Sequence, residues 1–207
     1  MSDKQLIQAA NIIATDGVII LPTDTLYGLA ANIFSPTGVK RIFDIKGRNP
    51  DMALPVLVSG WDQCIPLIKG DLDLGFNLQK TFWPGALTMI FKKSDCVPDT
   101  ITAGRDTVAV RMPDHPAPLY ICESNNTPIT GTSANLSGES DALSLSDISA
   151  DVRSKVDDIL ETKPTPQGTA STIIDLSGPK PVILRQGACL LYTSPSPRDR
   201  TSSRMPS

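Results

Sequence analysis

Short apolar runs alternate along this chain with stretches of helical periodicity, and this alternation constrains its fold more than any other feature. Residues 18–21 are continuously apolar, which is typical of a strand buried on both faces of a sheet. Ser35 and Pro36 are typical of a helix cap and a first helical residue. Strands interleaved with helices predict a mixed α/β sheet. Further strands are predicted at residues 53–58, 87–91, 107–111, 156–160, 171–176 and 181–184, and helices at residues 5–13, 61–68, 71–82 and 147–152 and after Pro116.

Composition narrows the class of function. The 207 residues suffice for one large domain and carry a formal net charge of -3, so an RNA contact would need a local basic patch. Four widely spaced cysteines and a single histidine, His115, argue against zinc, and no metal site is predicted. No apolar run approaches the roughly 18 residues of a membrane span, and the first residues lack a signal-peptide pattern. We therefore expect a cytoplasmic protein without membrane contact.

The end of the chain differs in character from the rest. Residues 189–207 are dense in Ser, Pro and Arg, have no hydrophobic periodicity and are predicted to be disordered. They resemble translated sequencing-adapter sequence, which favours a non-native tail over a basic arm for RNA. Residues 1–188 are therefore predicted to form the functional domain.

Polar motifs stand where apolar runs end, which is where open α/β sheets bind their ligands. The chain has no G-x-x-x-x-G-K-[ST] phosphate loop, no G-x-G-x-x-G turn and no G-x-S-x-G elbow. Thr25 lies in a polar turn, residues 23–29, after the first buried run. Lys46 and Arg48 follow a helix, where two cations can clamp an anion, although the helix dipole alone also favours cations there.

Three later motifs supply further candidates. Arg111 ends a predicted strand four residues before His115, and a lone histidine is more often structural than ligand-binding. Ser133 and Asn135 lie in a Gly- and Ser-rich segment that could bind an anion or could be a plain turn. The last two candidates are Ser171 and Arg185.

Taken together and in this order, the motifs resemble the YrdC-like family of threonylcarbamoyl-adenylate synthases. The matching segments are PTDTLYGL, KGR, WPGALT, AVRMPDHP, TGTSANLSG, STIID and LRQG, within residues 5–188. The resemblance implies the family's single-domain type, with a twisted mixed β-sheet flanked by helices and a deep basic cleft. It also implies a nucleotidyltransferase that makes threonylcarbamoyl-AMP and pyrophosphate from L-threonine, bicarbonate and ATP, for threonylcarbamoyladenosine modification of tRNA.

The same resemblance implies roles for ten residues. Those expected to bind threonine are Thr25, His115, Ser133 and Ser171. Those expected to be catalytic, facing the phosphates, are Lys46 and Arg48. Those expected to bind the nucleotide are Arg48, Arg111, Asn135, Ser144 and Arg185. Mg²⁺ is expected with ATP, and the implied partners are downstream threonylcarbamoyl-transferase proteins, with tRNA or double-stranded RNA as a further contact.

Two positions depart from the family pattern and leave alternatives open. Met52 and Leu57 stand near places where many members carry a polar residue and a histidine. They favour, as the alternative, a paralogue of the same fold acting on another small molecule. A non-catalytic double-stranded RNA-binding protein fits the acidic composition less well. A carbamoyl-transferring domain of the hydrogenase-maturation type is disfavoured because no acylphosphatase-like or zinc-binding region is attached.

Overall fold

The structure, a computed structural model, describes residues 3–70 and 72–190. The helices are α1 (Asp3–Ala14), α2 (Pro36–Lys46), α3 (Trp61–Cys64), α4 (Asp73–Phe82), α5 (Asp99–Thr102), α6 (Pro116–Ser124) and α7 (Ala150–Arg153). The strands are β1 (Ile19–Pro22), β2 (Tyr27–Ala30), β3 (Val56–Leu57), β4 (Ile68–Lys69), β5 (Leu87–Lys93), β6 (Thr107–Arg111), β7 (Ile129–Thr130), β8 (Thr132–Ser133), β9 (Asp158–Ile159), β10 (Thr172–Asp175) and β11 (Val182–Arg185). Short 3-10 turns cover Ile65–Leu67 and Leu145–Asp147.

Within those ranges the strands form two mixed sheets, and the predicted mixed α/β architecture is confirmed. The larger sheet has the order β11-β10-β5-β6-β3-β7, with β4 paired to β5, and the smaller has the order β8-β2-β1-β9. The chain passes from the larger sheet to the smaller at Gly131, between β7 and β8. A Cβ atom there would lie 2.6 Å from Leu57 Cγ, so this close approach requires glycine.

Strand β1 lies between two apolar clusters, as its continuously apolar sequence predicts. Ile19 and Leu21 pack into a cluster that includes residues of α1 and α6, whereas Val18 and Ile20 pack into the main core on the opposite face. β2 returns antiparallel to β1, pairing Tyr27 with Pro22. The predicted polar turn through residue 29 is therefore too long, because Tyr27–Ala30 is a buried strand.

Helix α2 places the two cations of the KGR motif. Its start is as predicted: the Ser35 side chain accepts a hydrogen bond from the Gly38 amide at 2.9 Å, and Pro36 is in the first turn. Its end is set by Gly47, whose φ of 54° is in the left-handed region. Lys46 is therefore the last helical residue and is anchored by a helix that packs into the main core.

Some predicted elements have other bounds. The predicted helix at residues 61–68 ends at Cys64, because the ring of Pro66 prevents an α-helix from continuing. Residues 68–69 form β4 instead. The predicted strand at residues 53–58 pairs only over Val56–Leu57. Among the described residues no helix is both long and apolar enough to cross a bilayer.

The described chain stays in contact with the domain beyond residue 188. The Thr172 hydroxyl donates to the Cys189 carbonyl oxygen, and Cys189 packs against the main core. Residues 191–207, which hold most of the predicted disordered tail, lie outside the described residues.

Replacement of Ser35 by alanine should lower the free energy of unfolding by about 1 kcal/mol, because the Gly38 amide loses its capping acceptor. Urea denaturation measures this change. Ser124→Ala is the matched control, since Ser124 is exposed at the end of α6 and should change stability by less than about 0.5 kcal/mol. Equal losses in the two variants would contradict the role assigned to the cap.

Candidate functional site

A cavity of about 400 Å³ lies over one face of the larger sheet. Four neighbouring strands contribute side chains to its floor. On β5 and β6 these are alternate residues, which face the same side of a strand. The floor residues are Leu57 from β3, Thr107, Ala109 and Arg111 from β6, Thr88 and Ile90 from β5, and Ile173 from β10. The smaller sheet closes one side with Tyr27, Gly28, Thr132 and Ser133.

The charges around the cavity are mostly positive. Among the described residues that line it, four are arginines, namely Arg48, Arg105, Arg111 and Arg185, and one is a carboxylate, Asp141. Arg111 ends β6, whereas Arg105 lies in the loop two residues before this strand begins. This balance suits an anionic ligand. Within the described ranges no group of three or more His, Cys, Asp or Glu side chains could hold a metal ion.

Thr25 and Arg111 belong to one buried hydrogen-bond network. Arg111 Nη1 donates to Thr25 Oγ1 at 2.8 Å, and its Nη2 pairs with the Asp24 carboxylate. Thr23 Oγ1 accepts from the Thr25 and Leu26 amides at 3.2 and 3.1 Å, and the Thr23 and Thr25 hydroxyls lie 3.0 Å apart, where either could be the donor. A hydroxyl oxygen can accept two hydrogen bonds, so Thr25 Oγ1 can accept one from a ligand in addition to the bond from Arg111.

Lys46 holds the loop of residues 133–135. Its Nζ donates to the Ser133 carbonyl oxygen at 2.5 Å, and to Asn135 O and Oδ1 at 2.7 and 2.9 Å. These three bonds use all three donors of the ammonium group. Burial lowers the pKa of Lys46 to about 8, with a smaller contribution from the charge of Arg48. Lys46 is 3% exposed and is not among the described residues that line the cavity, but Ser133 of this loop is.

Asn135 and Ser144 also lie outside the lining that the described residues form. The Asn135 Oδ1 accepts from Ser133 Oγ at 2.7 Å, and its Nδ2 donates to the Glu139 carbonyl oxygen at 2.7 Å, so the side chain closes the loop. Ser144 caps the 3-10 turn Leu145–Asp147 and its amide donates to an Asp147 carboxylate oxygen at 2.8 Å. Both side chains serve local structure in this arrangement.

Two other arginines are held at the cavity by few contacts. Arg48 Nη1 donates to Thr132 Oγ1 at 3.1 Å and Nη2 to the Ala53 carbonyl oxygen at 3.0 Å. Its Nε is buried and has no hydrogen-bond partner among the described residues, so a bound anion could satisfy it. Arg185 donates through Nε to the Ser171 carbonyl oxygen at 2.9 Å and through Nη2 to Ser171 Oγ at 3.2 Å.

His115 is buried beside the cavity and is not among its described lining residues. Its Nδ1 accepts from the Ala117 amide at 3.1 Å and caps α6, while Nε2 lies 3.0 Å from the Pro164 carbonyl oxygen. Burial lowers the pKa of His115. Both ring nitrogens therefore have partners within the protein.

The fold brings six of the ten predicted site residues to one cavity within the described chain. These six are Thr25, Arg48, Arg111, Ser133, Ser171 and Arg185. Leu57, one of the two departures from the family pattern, lies in the floor, whereas Met52 is exposed and is not among the described lining residues. Sequence reasoning missed Arg105, Thr88 and Asp141. Arg105 precedes β6 and Asp141 lies in an irregular loop, so no periodic pattern marks either residue.

The fold and the cavity define an α/β ligand-binding domain whose site suits an anion. The family model described as "Telomere recombination", for Sua5, YciO and YrdC domains, matches residues 11–187. The chain belongs to this family.

The names of similar proteins agree with the family that the sequence motifs resemble. A threonylcarbamoyl-AMP synthase of Pyrococcus abyssi is 41% identical over 179 residues, which are 86% of this chain and 53% of that protein. One of Bacillus subtilis is 37% identical over 187 residues, which are 90% of this chain and 54% of that protein. The crystal structure of P. abyssi Sua5 complexed with L-threonine has a TM-score of 0.86 and 39% identity, covering 90% of this chain and 55% of that one. This chain thus spans about half the length of these relatives.

Replacement of Arg105 by glutamine should weaken the binding of inorganic pyrophosphate about fivefold, because a cation is lost from the cavity wall. Isothermal titration calorimetry measures the dissociation constant. The substitution should leave the fold intact, since the Arg105 side chain makes no hydrogen bond or ion pair within the described part of the chain. Arg153→Gln is the charge-matched control, exposed on α7 and absent from the described lining. Equal affinities for both variants would contradict anion binding by Arg105.

Proposed function

We propose that this chain is an L-threonylcarbamoyladenylate synthase, a nucleotidyltransferase that forms threonylcarbamoyl-AMP and pyrophosphate from L-threonine, bicarbonate and ATP. The observation that carries the proposal is the convergence of six motif residues, distant in sequence, on a single cavity lined by arginines. Membership of the family and the names of its relatives support the same reaction. An L-threonine complex of P. abyssi Sua5 supports threonine as the amino-acid substrate.

The reaction has two steps that need positioning rather than a covalent enzyme intermediate. The threonine amine attacks bicarbonate and forms a carbamate with loss of water. A carbamate oxygen then attacks the α-phosphorus of ATP, and pyrophosphate leaves with the electron pair of the broken bond. Catalysis therefore comes mostly from orientation and from neutralisation of charge on the phosphates. Binding within the cavity would also limit the access of water to the carbamate.

Threonine is proposed to bind at the end of the cavity that contains Thr25 and Ser171. Thr25 Oγ1 is proposed to accept from the amine or hydroxyl of threonine, because the bond from Arg111 leaves it one further lone pair. Ser171 Oγ is held by Thr88 Oγ1 at 2.8 Å. Ser133 is proposed to complete this polar wall. The threonine contact of His115 remains a prediction from the family motif.

The nucleotide is proposed to lie along the arginines. Arg48 and Arg185 have unused donors for phosphate oxygens, whereas Arg111 is paired with Asp24 and orients Thr25. Lys46 is proposed to support the phosphate site through the loop that it holds. Mg²⁺ is proposed to enter bound to ATP, and Asp141 is the lining carboxylate that could approach it. The nucleotide contacts of Asn135 and Ser144 remain predictions.

The use of the product in the cell is part of the same proposal. We propose that the product passes to threonylcarbamoyl-transferase proteins for modification of tRNA in the cytoplasm. Residues 1–188 are proposed to be sufficient for the synthase reaction. Direct contact with tRNA or double-stranded RNA remains a prediction, and the net charge of -3 requires it to be local.

Release of pyrophosphate from ATP tests the proposal. Release should require both L-threonine and bicarbonate, and it should be at least about tenfold slower with L-valine, which leaves the polar wall unpaired. Arg48→Ala should lower the rate at least about tenfold, whereas Arg153→Ala should not. Release without threonine, or none from folded protein that binds ATP, would be evidence against the proposal and would favour a paralogue with another substrate.

Activity should fall as the pH rises through about 8, the pKa of Lys46. Above that pH the neutral amine has two N–H donors for the three oxygens of the 133–135 loop, so the loop loses a bond. The measure is the ratio of kcat in the wild type to kcat in Lys46→Met, because titration of the substrates affects both proteins equally. A ratio that stays constant from about pH 7 to about pH 10 would rule out this role of the ammonium form.

A further inference from the structure

His115 is a buried titratable group that does not line the cavity, and its two contacts fix its protonation. Because Nδ1 accepts the Ala117 amide, the neutral ring carries its proton on Nε2. Nε2 then donates to the Pro164 carbonyl oxygen at 3.0 Å. The imidazole therefore joins the start of α6 to the chain at Pro164.

Pro164 belongs to the segment of residues 161–170, which joins β9 to β10 without a helix or strand of its own. Further along this segment, the Gln167 amide donates to the Asp24 carbonyl oxygen at 3.0 Å. The Gly168 amide donates to the Thr25 carbonyl oxygen at 2.9 Å. The segment ends at Ala170, which lines the cavity next to Ser171. Its position thus affects the backbone of Thr25 and the entry into β10.

The start of α6 is also linked, through Asp24, to the turn that contains Thr25. The Asp114 amide donates to Asp24 Oδ1 at 3.2 Å, and Asp24 also pairs with Arg111. Asp24 and His115 are therefore two links between the segment before α6 and the segment of residues 161–170. The link through Asp24 reaches that segment by the Asp24 backbone carbonyl, whereas His115 reaches it by its side chain.

We infer that His115 is a positioning residue that holds residues 161–170 against Thr25 and so keeps the threonine end of the cavity in shape. The inference deepens the proposed function and rests on it. His115 acts through the Pro164 carbonyl rather than by touching threonine. Loss of this link should weaken threonine binding while leaving the arginines that serve ATP in place.

Two substitutions separate the contacts of the two ring nitrogens. Asparagine places an oxygen near the position of Nδ1, so His115→Asn keeps an N-cap acceptor for Ala117 but is too short to reach Pro164. Glutamine places a donor near the position of Nε2, so His115→Gln can keep the Pro164 link and loses the cap. Thermal denaturation should therefore show the larger loss of stability in His115→Gln.

Amide hydrogen exchange of the protein alone reports the link directly. In His115→Asn the amides of Gln167 and Gly168 should exchange at least about tenfold faster than in the wild type, and in His115→Gln they should exchange at the wild-type rate. In the pyrophosphate assay, His115→Asn should raise the KM for threonine about tenfold and change the KM for ATP less than about twofold. His115→Gln should keep both KM values.

Three results would overturn the inference. Wild-type exchange and wild-type KM in His115→Asn would show that the link does not matter. A raised threonine KM with unchanged exchange would show that His115 contacts threonine itself. Equal losses in both variants would show a general structural role.

The exchange measurement also separates this inference from the proposed function. If the wild type releases no pyrophosphate, the proposed reaction fails, while the exchange rates still test the link. If His115→Asn does not fold, Gln167→Pro removes the amide that donates to Asp24 and tests the same segment. A raised threonine KM in that variant supports the inference, and an unchanged KM overturns it.

Discussion

The ammonium group of Lys46 is the interaction on which the candidate site depends. It is buried at the end of α2 and binds three oxygens of residues 133 and 135, more than eighty residues away in sequence. Those residues follow the point at which the chain crosses from the larger sheet to the smaller. A buried charge that lost these partners would be strongly unfavourable, so helix, loop and both sheets are fixed relative to one another.

The arrangement also explains how an acidic protein can hold a site for an anion. The whole chain has a net charge of -3, yet four arginines and one carboxylate line the cavity within the described residues. The arginines come from separate elements, and Arg111 is held in place by the Asp24 carboxylate. Apolar residues such as Leu57 and Ile90 form part of the floor, which lowers the local dielectric beside those charges.

Local patterns predicted the parts of the fold that depend on local physics. The apolar sequence of β1 indicated burial on both faces, and Ser35 indicated the start of α2, since each signal is contained in a few consecutive residues. The motif resemblance named six residues that line the cavity. The direction of Lys46 was not predictable, because cations at a helix end usually face solvent or ligand and its partners are distant in sequence. Asp141 lies in an irregular loop that carries no periodic signal.

Detection of the product tests the central claim most directly. The 207-residue protein is incubated with ATP, L-threonine and carbon-13-labelled bicarbonate, and the nucleotides are separated and identified by mass spectrometry. The account predicts threonylcarbamoyl-AMP that carries the labelled carbon, formed in equal amount with pyrophosphate. Consumption of ATP without any nucleotide that contains both threonine and the labelled carbon would contradict it.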